Sequence, residues 1–324
     1  MNRILITGGA GFIGSSLAEA LIAEGQAVTV IDDLSTGALA NLAGLRRHPN
    51  FRFIRASIRD PKALAQALKS VSFVYHLAAA VGVELIVKSP VYTIEDNVRG
   101  TEDVLAAAAS AGCGVLITST SEVYGKSARL RFREDDDLLI GPPKLGRWSY
   151  ACSKLLDEFL GLAYYHEKHT PVTIVRLFNT VGQRQSGRYG MVLPRFVQSA
   201  IRGKPITIYG DGQQSRCFCH VSDVVRALVA LPKQPQAAGQ VYNIGSTEEV
   251  TIQELAKRVQ SLCANRSKLS YVPYAEAYEK GFEDMRRRVP SIAKIRQLIG
   301  WRPSKNLDEI LQLVIAEKRA GKGL

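Results

Sequence analysis

Residues 5–21 read "LITGGAGFIGSSLAEAL", and this stretch decides the fold. An apolar run typical of a buried strand is followed by Gly8, Gly11 and Gly14, and then by an apolar pattern with helical spacing. Glycines permit a tight turn and a close approach of the backbone to a ligand, and the start of a helix offers free N–H groups to an anion. The stretch therefore predicts a strand, a phosphate-binding turn and a helix.

A carboxylate ends the second strand pattern. The run "AVTVID" closes on Asp32, 18 residues after Gly14. A carboxylate at this place can accept hydrogen bonds from a ribose diol, and it repels a 2′-phosphate. We therefore predict that the chain binds NAD rather than NADP.

The first 180 residues alternate strand and helix patterns. Apolar runs lie at 3–7, 27–32, 51–56, 73–78, 115–119 and 172–178. Runs buried on both faces and separated by helices are typical of parallel sheets. We predict an α/β protein with a Rossmann-type doubly wound parallel sheet and helices on both of its faces.

The regular alternation of strand and helix patterns ends at about residue 180, and a polar, glycine-rich loop is predicted at 182–190. Further helix and strand patterns follow, at 191–202, 206–210, 221–231, 241–245, 251–264, 291–299 and 307–319. We predict an NAD-binding domain over 1–180, with contributions from about 221–245. A smaller C-terminal α/β substrate lobe over 181–324 is predicted to be partly interleaved with it.

Composition excludes several classes of function. No apolar run reaches the roughly 18 residues that span a bilayer. The start runs directly into a strand pattern, so we expect no signal peptide. The five cysteines show neither zinc spacing nor a disulfide framework, so we expect a cytoplasmic protein without a metal. The net charge is +12, but no tract interleaves basic and aromatic residues. We expect a small polyanionic substrate and no nucleic acid.

A set of motifs then points to a family. They are "TGGAGFIG" (7–14), "DDLSTG" (32–37), "VYHLAA" (74–79), "STSEVYG" (119–125), "YACSK" (150–154), "VRLFNTVG" (175–182) and "YGDGQQSRCF" (209–218). In this order and spacing the set resembles the extended short-chain dehydrogenase/reductase family, which acts on nucleotide-diphosphate sugars.

The resemblance implies a set of cofactor contacts. They are Gly8, Gly11, Phe12, Ile13, Gly14, Asp32, Ser57, Ile58, Leu77, Ala78, Ala79, Tyr150 and Lys154. The family usually has an aspartate at the position of Ser57, where it contacts adenine. We therefore expect Ser57 or Asp60 to make that contact in this chain.

Tyr150 and Lys154 stand four residues apart and so share one face of a helix. A nearby ammonium and a cationic nicotinamide both favour the phenolate form of a tyrosine, which makes Tyr150 a base for a sugar hydroxyl. The resemblance further implies that Lys154 binds the nicotinamide ribose. It also implies that Thr120 is the third catalytic hydroxyl.

The residues after Thr120 distinguish the possible reactions. Enzymes that resemble 4,6-dehydratases carry Asp–Glu where this chain has Ser121 and Glu122, and simple 4-epimerases usually have a small neutral residue in place of the glutamate. The sequence "TSE" resembles UDP-glucuronate decarboxylases. There, oxidation of carbon 4 makes a β-keto acid, and Glu122 is expected to move protons or position water.

The stretch "GFEDMRRRVPSI" (281–292) also resembles a decarboxylase of this kind and places Arg288 two residues before a proline. A guanidinium can hold a carboxylate at two points, so Arg288 is expected to bind the substrate and act in catalysis. Asn179 and Arg216 are expected to bind the substrate diphosphate, with uracil the expected base. Because the loop at 182–190 looks like that of many 4-epimerases, a UDP-hexose or UDP-uronate 4-epimerase remains the alternative.

The resemblance finally implies a homodimer. Members of the family commonly pair through two helices, which correspond here to about 92–111 and 150–168. The segments "LAAAASA" and "LAYYH" within them suit close helix packing.

Overall fold

The central sheet lies at the middle of the protein. The computed structural model describes residues 3–82, 89–185, 191–264, 267–277 and 285–321. The sheet's strands are β1 (Arg3–Thr7), β2 (Ala27–Asp32), β3 (Phe51–Arg55), β4 (Val71–His76), β5 (Gly114–Thr120), β6 (Val172–Leu177) and β11 (Gln240–Ile244).

The strand order is β11-β6-β5-β4-β1-β2-β3, and each neighbouring pair is parallel. The order reverses on either side of β1, whose last residue, Thr7, lies beside Ile31 of β2 and His76 of β4. Ligands of open parallel sheets bind at the carboxyl ends of the strands beside such a switch point. The glycine turn and Asp32 therefore come together at this edge.

Helices cover both faces of the sheet. They are α1 (Phe12–Ala23), α2 (Pro61–Ala67), α3 (Pro90–Ser110), α4 (Ser149–Lys168), α5 (Val192–Ile201), α6 (Val221–Ala230), α7 (Ile252–Leu262), α8 (Tyr274–Ala277), α9 (Ala293–Ile299) and α10 (Leu307–Arg319). Successive strand residues face opposite sides. Ile6 packs in the core with α1 and α6, and Leu5 packs in the core with α2 and α3.

A smaller lobe carries the remaining strands. They are β7 (Thr180–Val181), β8 (Ile206–Tyr209), β9 (Ser215–Cys217), β10 (Cys219–His220), β12 (Glu249–Thr251), β13 (Leu269–Val272) and β14 (Arg287–Arg288). Strand β9 lies between β12 and β14, while β8 pairs with β13 and β7 with β10. The core of this lobe is formed by α5, α7 and α10, with Phe196, Leu255 and Leu311 buried between them.

The predicted fold class is confirmed: the chain is an α/β protein with a parallel, doubly wound sheet. The domain division stays a prediction. Strand β11 does lie in the main sheet, but Ile295 of α9 and Trp301 also pack in the sheet's core, although the division assigned them to the second lobe. Of the predicted loop at 182–190 and the motif at 281–292, residues 186–190 and 281–284 lie outside the described residues.

Across the part of the chain that the structure describes, no helix combines the length and the apolar character needed to cross a bilayer. The same residues contain no group of three or more His, Cys, Asp or Glu side chains placed to hold a metal ion.

Candidate active site

The glycine turn after β1 is tight because its residues have no side chains. Gly8 has a φ of 68°, and a Cβ atom added there would lie 2.7 Å from the backbone nitrogen of Ala78. A Cβ atom at Gly14 would lie 2.7 Å from the Cα atom of Gly9. Both contacts are too close for a side chain. The start of α1 is thus held against the ends of β1 and β4, in the arrangement that binds a pyrophosphate.

Asp32 is buried beside this turn. Its two carboxylate oxygens accept hydrogen bonds from the backbone N–H groups of Ala10, at 2.9 Å, and Leu34, at 2.8 Å. Burial raises the pKa of Asp32, and these two N–H groups partly oppose the rise. The carboxylate is therefore fixed at the carboxyl end of β2, with lone pairs left for a ribose diol.

A cavity of about 150 Å³ opens next to Asp32. Its lining includes the predicted cofactor residues Gly8, Asp32, Ser57, Ile58, Ala78 and Ala79. Asp33 and Asp96 also line the cavity, and the three carboxylates together disfavour a 2′-phosphate. The donor set and the shape of the turn fit NAD.

The other predicted cofactor residues lie nearby. Phe12, Ile13 and Leu77 are half-buried and pack against the core beside the turn. Asp60, by contrast, caps helix α2 by accepting hydrogen bonds from the N–H groups of Lys62 and Ala63. Ser57, and not Asp60, therefore lines the cavity.

The catalytic residues meet at the end of β5 and the start of α4. Thr120 ends β5, and its hydroxyl accepts a hydrogen bond from the N–H of Glu122 at 3.2 Å. Tyr150 is the second residue of α4 and is hydrogen-bonded to the Thr120 side chain. Lys154 follows one turn later and is buried.

The charges around Tyr150 differ from the sequence-based expectation. Burial, Glu122 and Asp157 raise the pKa of Tyr150, and only its hydrogen bond to Thr120 opposes the rise. The Lys154 ammonium donates a hydrogen bond to Asp157 at 2.7 Å, so a carboxylate partly cancels its charge. The cationic nicotinamide is the other group expected to favour the phenolate.

Glu122 lies between two arginines. Its Oε2 accepts a hydrogen bond from Nη1 of Arg147 at 2.7 Å, and its Oε1 accepts one from Nη1 of Arg288 at 3.3 Å. All three side chains are largely buried, with 5% of Arg147 and 13% of Glu122 and Arg288 exposed. Two guanidiniums favour the carboxylate form of Glu122. Counting these three described side chains alone, one acid and two bases give the cluster a net charge of +1.

Sequence reasoning missed Arg147. It lies in a turn (Gly146–Trp148) directly before α4, three residues ahead of Tyr150. The signal was present in "GRWSY", because residues three apart at a helix start share a face. The proton-moving role expected of Glu122 stays a prediction, since both of its oxygens contact guanidiniums.

The predicted substrate residues converge on β9. Arg288 of β14 and Arg216 of β9 are direct neighbours across the parallel pair. The side chain of Asn179 donates a hydrogen bond to the carbonyl of Cys217, the next residue of β9, at 3.0 Å. The Glu122–Arg288 contact therefore joins the substrate lobe to the Tyr150 site.

An open groove of about 740 Å³ lies beside this cluster, and cavities of this size hold small-molecule ligands. Residues from both lobes line it, among them Lys126, Trp148, Gln214, Arg286 and Arg287. Cations outnumber acids in this lining, which suits a ligand that carries phosphate or carboxylate groups.

Comparisons with known proteins agree with this site. The family model described as GDP-mannose 4,6 dehydratase matches residues 5–314. The UDP-N-acetyl-alpha-D-glucosaminuronate decarboxylase of Bacillus cytotoxicus is 40% identical, over 97% of this chain and 97% of that protein. UDP-glucuronic acid decarboxylase 1 of Danio rerio is 36% identical, over 97% of this chain and 72% of that protein.

Solved structures agree as well. A variant of UDP-glucuronic acid 4-epimerase from Bacillus cereus, in complex with NAD and a fluorinated UDP-glucuronic acid, has a TM-score of 0.88 and 29% identity, over 98% of this chain and 99% of that one. The dTDP-glucose 4,6-dehydratase DesIV from Streptomyces venezuelae, with NAD bound, has a TM-score of 0.89 and 30% identity, over 98% and 97% of the two chains.

The predicted family and cofactor are therefore confirmed. The family model covers almost the whole chain, and the solved neighbours hold NAD in the same fold. The chain belongs to the GDP-mannose 4,6 dehydratase family of extended short-chain dehydrogenase/reductase proteins and is an NAD-dependent enzyme.

Proposed function

We propose that the protein is a UDP-uronate decarboxylase, with UDP-glucuronate as the first candidate substrate. The observation that carries the proposal is the position of Glu122 between Arg147 and Arg288, close to Tyr150. The excess positive charge of this cluster matches one sugar carboxylate. Decarboxylases of UDP-glucuronate and of a related UDP-uronate are among the relatives with 36–40% identity.

The first half of the reaction is oxidation at carbon 4 of the sugar. Tyr150 takes the proton of the 4-hydroxyl, and Thr120, which is hydrogen-bonded to Tyr150, orients the same oxygen. The bound cofactor would supply the acceptor for the hydride on carbon 4. Lys154 has two ammonium N–H groups beyond its bond to Asp157, and these are available to the cofactor ribose and to Tyr150.

The second half is loss of carbon dioxide. The bond between carbons 5 and 6 breaks, and its electron pair moves to the 4-keto oxygen as an enolate. Nε of Arg288 is buried and has no hydrogen-bond partner among the described residues, so it can donate to the departing carboxylate. The phenol of Tyr150 donates to the enolate oxygen until carbon 5 gains a proton.

Ser121 disfavours the dehydratase reaction, in which an acid must expel a hydroxyl from carbon 6. The side chain of Ser121 is buried, and its hydroxyl is too weak an acid for that step. The match to the family model therefore supports the fold and the cofactor chemistry of this chain. Ser121 argues against 4,6-dehydration, the reaction in the name of that model.

A second candidate substrate is UDP-N-acetylglucosaminuronate. The relative of that specificity is 40% identical and matches this chain over 97% of both lengths. The groove of about 740 Å³ beside the cluster is large enough for a ligand that carries an acetamido group in place of a hydroxyl at carbon 2 of the sugar. Carbon 6 carries the same carboxylate in both substrates, so the role of Arg288 is unchanged.

A panel of substrates tests the proposal. The pure protein is incubated with UDP-glucuronate, UDP-N-acetylglucosaminuronate, UDP-glucose and UDP-galactose, and products are followed by NMR. Release of carbon dioxide from either uronate supports the proposal and identifies the substrate. Interconversion of UDP-glucose and UDP-galactose, or inversion of carbon 4 of a uronate without loss of carbon dioxide, would establish a 4-epimerase like the solved neighbours.

We also propose that the protein is a homodimer through α3 and α4. These helices pack against each other, and the exposed apolar side chains Val91, Ile94, Leu156 and Phe159 lie on them, each between 42% and 69% exposed. Large apolar side chains in such a group are typical of an interface. A second copy of the chain would bury them in a bundle of four helices.

Light scattering at micromolar concentration tests the dimer. We expect the wild-type protein to have twice the chain mass and Phe159→Glu to have the mass of one chain. Leu139→Glu is the matched control, because Leu139 is equally apolar and 52% exposed but lies away from both helices. A wild-type monomer, or a Phe159→Glu dimer, would contradict the proposal.

A further inference from the structure

Asp157 is a buried acid that the Tyr-x-x-x-Lys motif does not include. It lies on α4 three residues after Lys154, whose Nζ donates to its Oδ2 at 2.7 Å. Only 2% of the lysine side chain and none of the aspartate side chain is exposed. Burial raises the pKa of Asp157, and the Lys154 ammonium opposes that rise. The ammonium that serves the cofactor site is thus one half of a fully buried ion pair.

A chain of polar contacts leads from the glycine turn to Asp157. Thr7, next to the glycine turn, accepts from the N–H of Ala78 at 3.2 Å and lies 2.8 Å from Nδ1 of His76. Nε2 of His76 lies 3.0 Å from the hydroxyl of Thr101, which in turn hydrogen-bonds to Asp157.

The direction of these bonds follows from His76. Burial lowers the pKa of His76 to about 3, so the ring is neutral and carries one N–H. If the Thr7 hydroxyl donates to Nδ1, then Nε2 donates to Thr101. The Thr101 hydroxyl is then left to donate to Asp157. In this order the His76 ring and both threonine hydroxyls are engaged. Oδ1 of Asp157 has no hydrogen-bond partner among the described residues, and Lys154 holds the carboxylate through Oδ2.

Other charged groups near Lys154 are already engaged. Glu158 is held by Arg176 through contacts of 2.8–3.2 Å, and Glu122 is held by Arg147 and Arg288. His76, from β4, is neutral, and Tyr150 lies on the same helix. Asp157 is therefore the carboxylate that pairs with the lysine.

We propose that Asp157 is a positioning residue that acts through Lys154: it is the counter-ion that keeps the lysine charged and oriented while the lysine is buried in the cofactor site. A buried ammonium without a counter-ion is strongly disfavoured and is more easily deprotonated. Because the cofactor contact precedes any chemistry on the sugar, the proposal holds for a decarboxylase and for an epimerase alike.

The test compares Asp157→Asn with the wild-type protein across pH. The amide keeps the shape of the side chain but removes its charge, so the buried ammonium should lose its proton at lower pH. NAD affinity is measured by calorimetry, and the affinity of the variant is divided by that of the wild type at each pH. We expect this ratio to fall about tenfold between pH 7 and pH 9.5. The ratio of hydride-transfer rates, followed as NADH absorbance with the active substrate, should fall in parallel.

Two further variants separate charge from structure. Asp157→Glu keeps the charge. Its ratios of NAD affinity and of hydride-transfer rate to wild type should therefore not depend on pH, even if both ratios are below one. Glu158→Gln removes the next acid on α4, but its partner is Arg176, which does not lose its proton in this range. We expect that control to lower the melting temperature without a pH-dependent ratio.

The proposal is overturned if the Asp157→Asn ratios are flat with pH, or if Glu158→Gln shows the same alkaline loss. If Asp157→Asn does not fold, Asp157→Glu provides the test. A fall of its NAD-affinity ratio between pH 7 and pH 9.5 would then overturn the proposal. The NAD measurement uses no sugar, so failure of the decarboxylase assignment leaves this test intact.

Discussion

Replacing Arg147 by glutamine removes one of the two guanidiniums that hold Glu122. The contact is 2.7 Å long, and 5% of Arg147 and 13% of Glu122 are exposed, so it is largely sheltered from water. A charge-assisted hydrogen bond of this kind contributes about 1.5–3 kcal/mol. Without it, Arg288 is the arginine that still contacts Glu122 among the described residues, and we expect Glu122 to draw that guanidinium away from the substrate carboxylate. We expect kcat/KM for the uronate to fall about ten- to hundredfold.

The assay separates two steps of the Arg147→Gln variant. Carbon dioxide release reports decarboxylation, and NADH absorbance on mixing reports hydride transfer. We expect the first to fall much more than the second, because Tyr150, Thr120 and Lys154 are unchanged. Arg286→Gln is the matched control: Arg286 lines the groove beside the cluster, but its side chain is 81% exposed and contacts Asp211 at 3.2 Å. Such surface pairs contribute little. Carbon dioxide release within twofold of wild type in Arg147→Gln, or an equal loss in Arg286→Gln, would refute the reasoning.

Tyr150→Phe removes the phenolic hydroxyl and keeps the ring, so turnover should fall by about 10²–10⁴-fold. NAD affinity and melting temperature should be unchanged. Activity within tenfold of wild type would show that Tyr150 is not the base. Asp32→Asn removes a charge that repels a 2′-phosphate, so calorimetry should show about a tenfold smaller preference for NAD over NADP, and an unchanged preference would contradict the role given to Asp32. Glu122 raises the pKa of Tyr150. Because the base must lose its proton first, we expect hydride transfer to rise with pH. Glu122→Gln should therefore move the acid limb of hydride transfer to lower pH, and a limb that stays or moves upward would be evidence against this coupling.

The inner strands of the central sheet could be predicted from the sequence because both of their faces are buried. The run at 172–178 corresponds to β6 (Val172–Leu177), in which five successive residues are buried. Continuous apolar runs of this kind follow directly from helices on both faces of a sheet. The helix predicted at 307–319 likewise matches α10, which begins with an asparagine cap and a glutamate that completes a capping box.

The pairing of β9 with β14 could not be predicted. Strand β14 consists of Arg287 and Arg288, and two half-buried arginines carry no strand signal. Its register nevertheless places Arg288 beside Arg216, and so brings together two residues that the sequence motifs assigned separately. Long-range pairing, and not local pattern, builds this part of the site.

The roles of Arg147 and Asp157 in the site were not predicted, for a different reason. In the sequence each is a charged residue at a helix start or on a helix, where most charged residues are exposed. The structure buries both against charged partners, Arg147 against Glu122 and Asp157 against Lys154. A single sequence does not distinguish a buried ion pair from a solvated one, because the difference depends on which elements pack over it.

The central claim is that a positively charged cluster beside Tyr150 directs a 4-keto uronate to decarboxylation. The most direct measurement is ¹³C NMR of UDP-glucuronate, and in parallel UDP-N-acetylglucosaminuronate, labelled at carbon 6 and incubated with the wild-type protein. We predict that the label leaves the sugar of at least one of them and appears as carbon dioxide and bicarbonate, and that Arg288→Ala slows this loss about ten- to hundredfold. Label that stays on carbon 6 of both sugars while carbon 4 inverts would contradict the claim and show that the enzyme is a 4-epimerase.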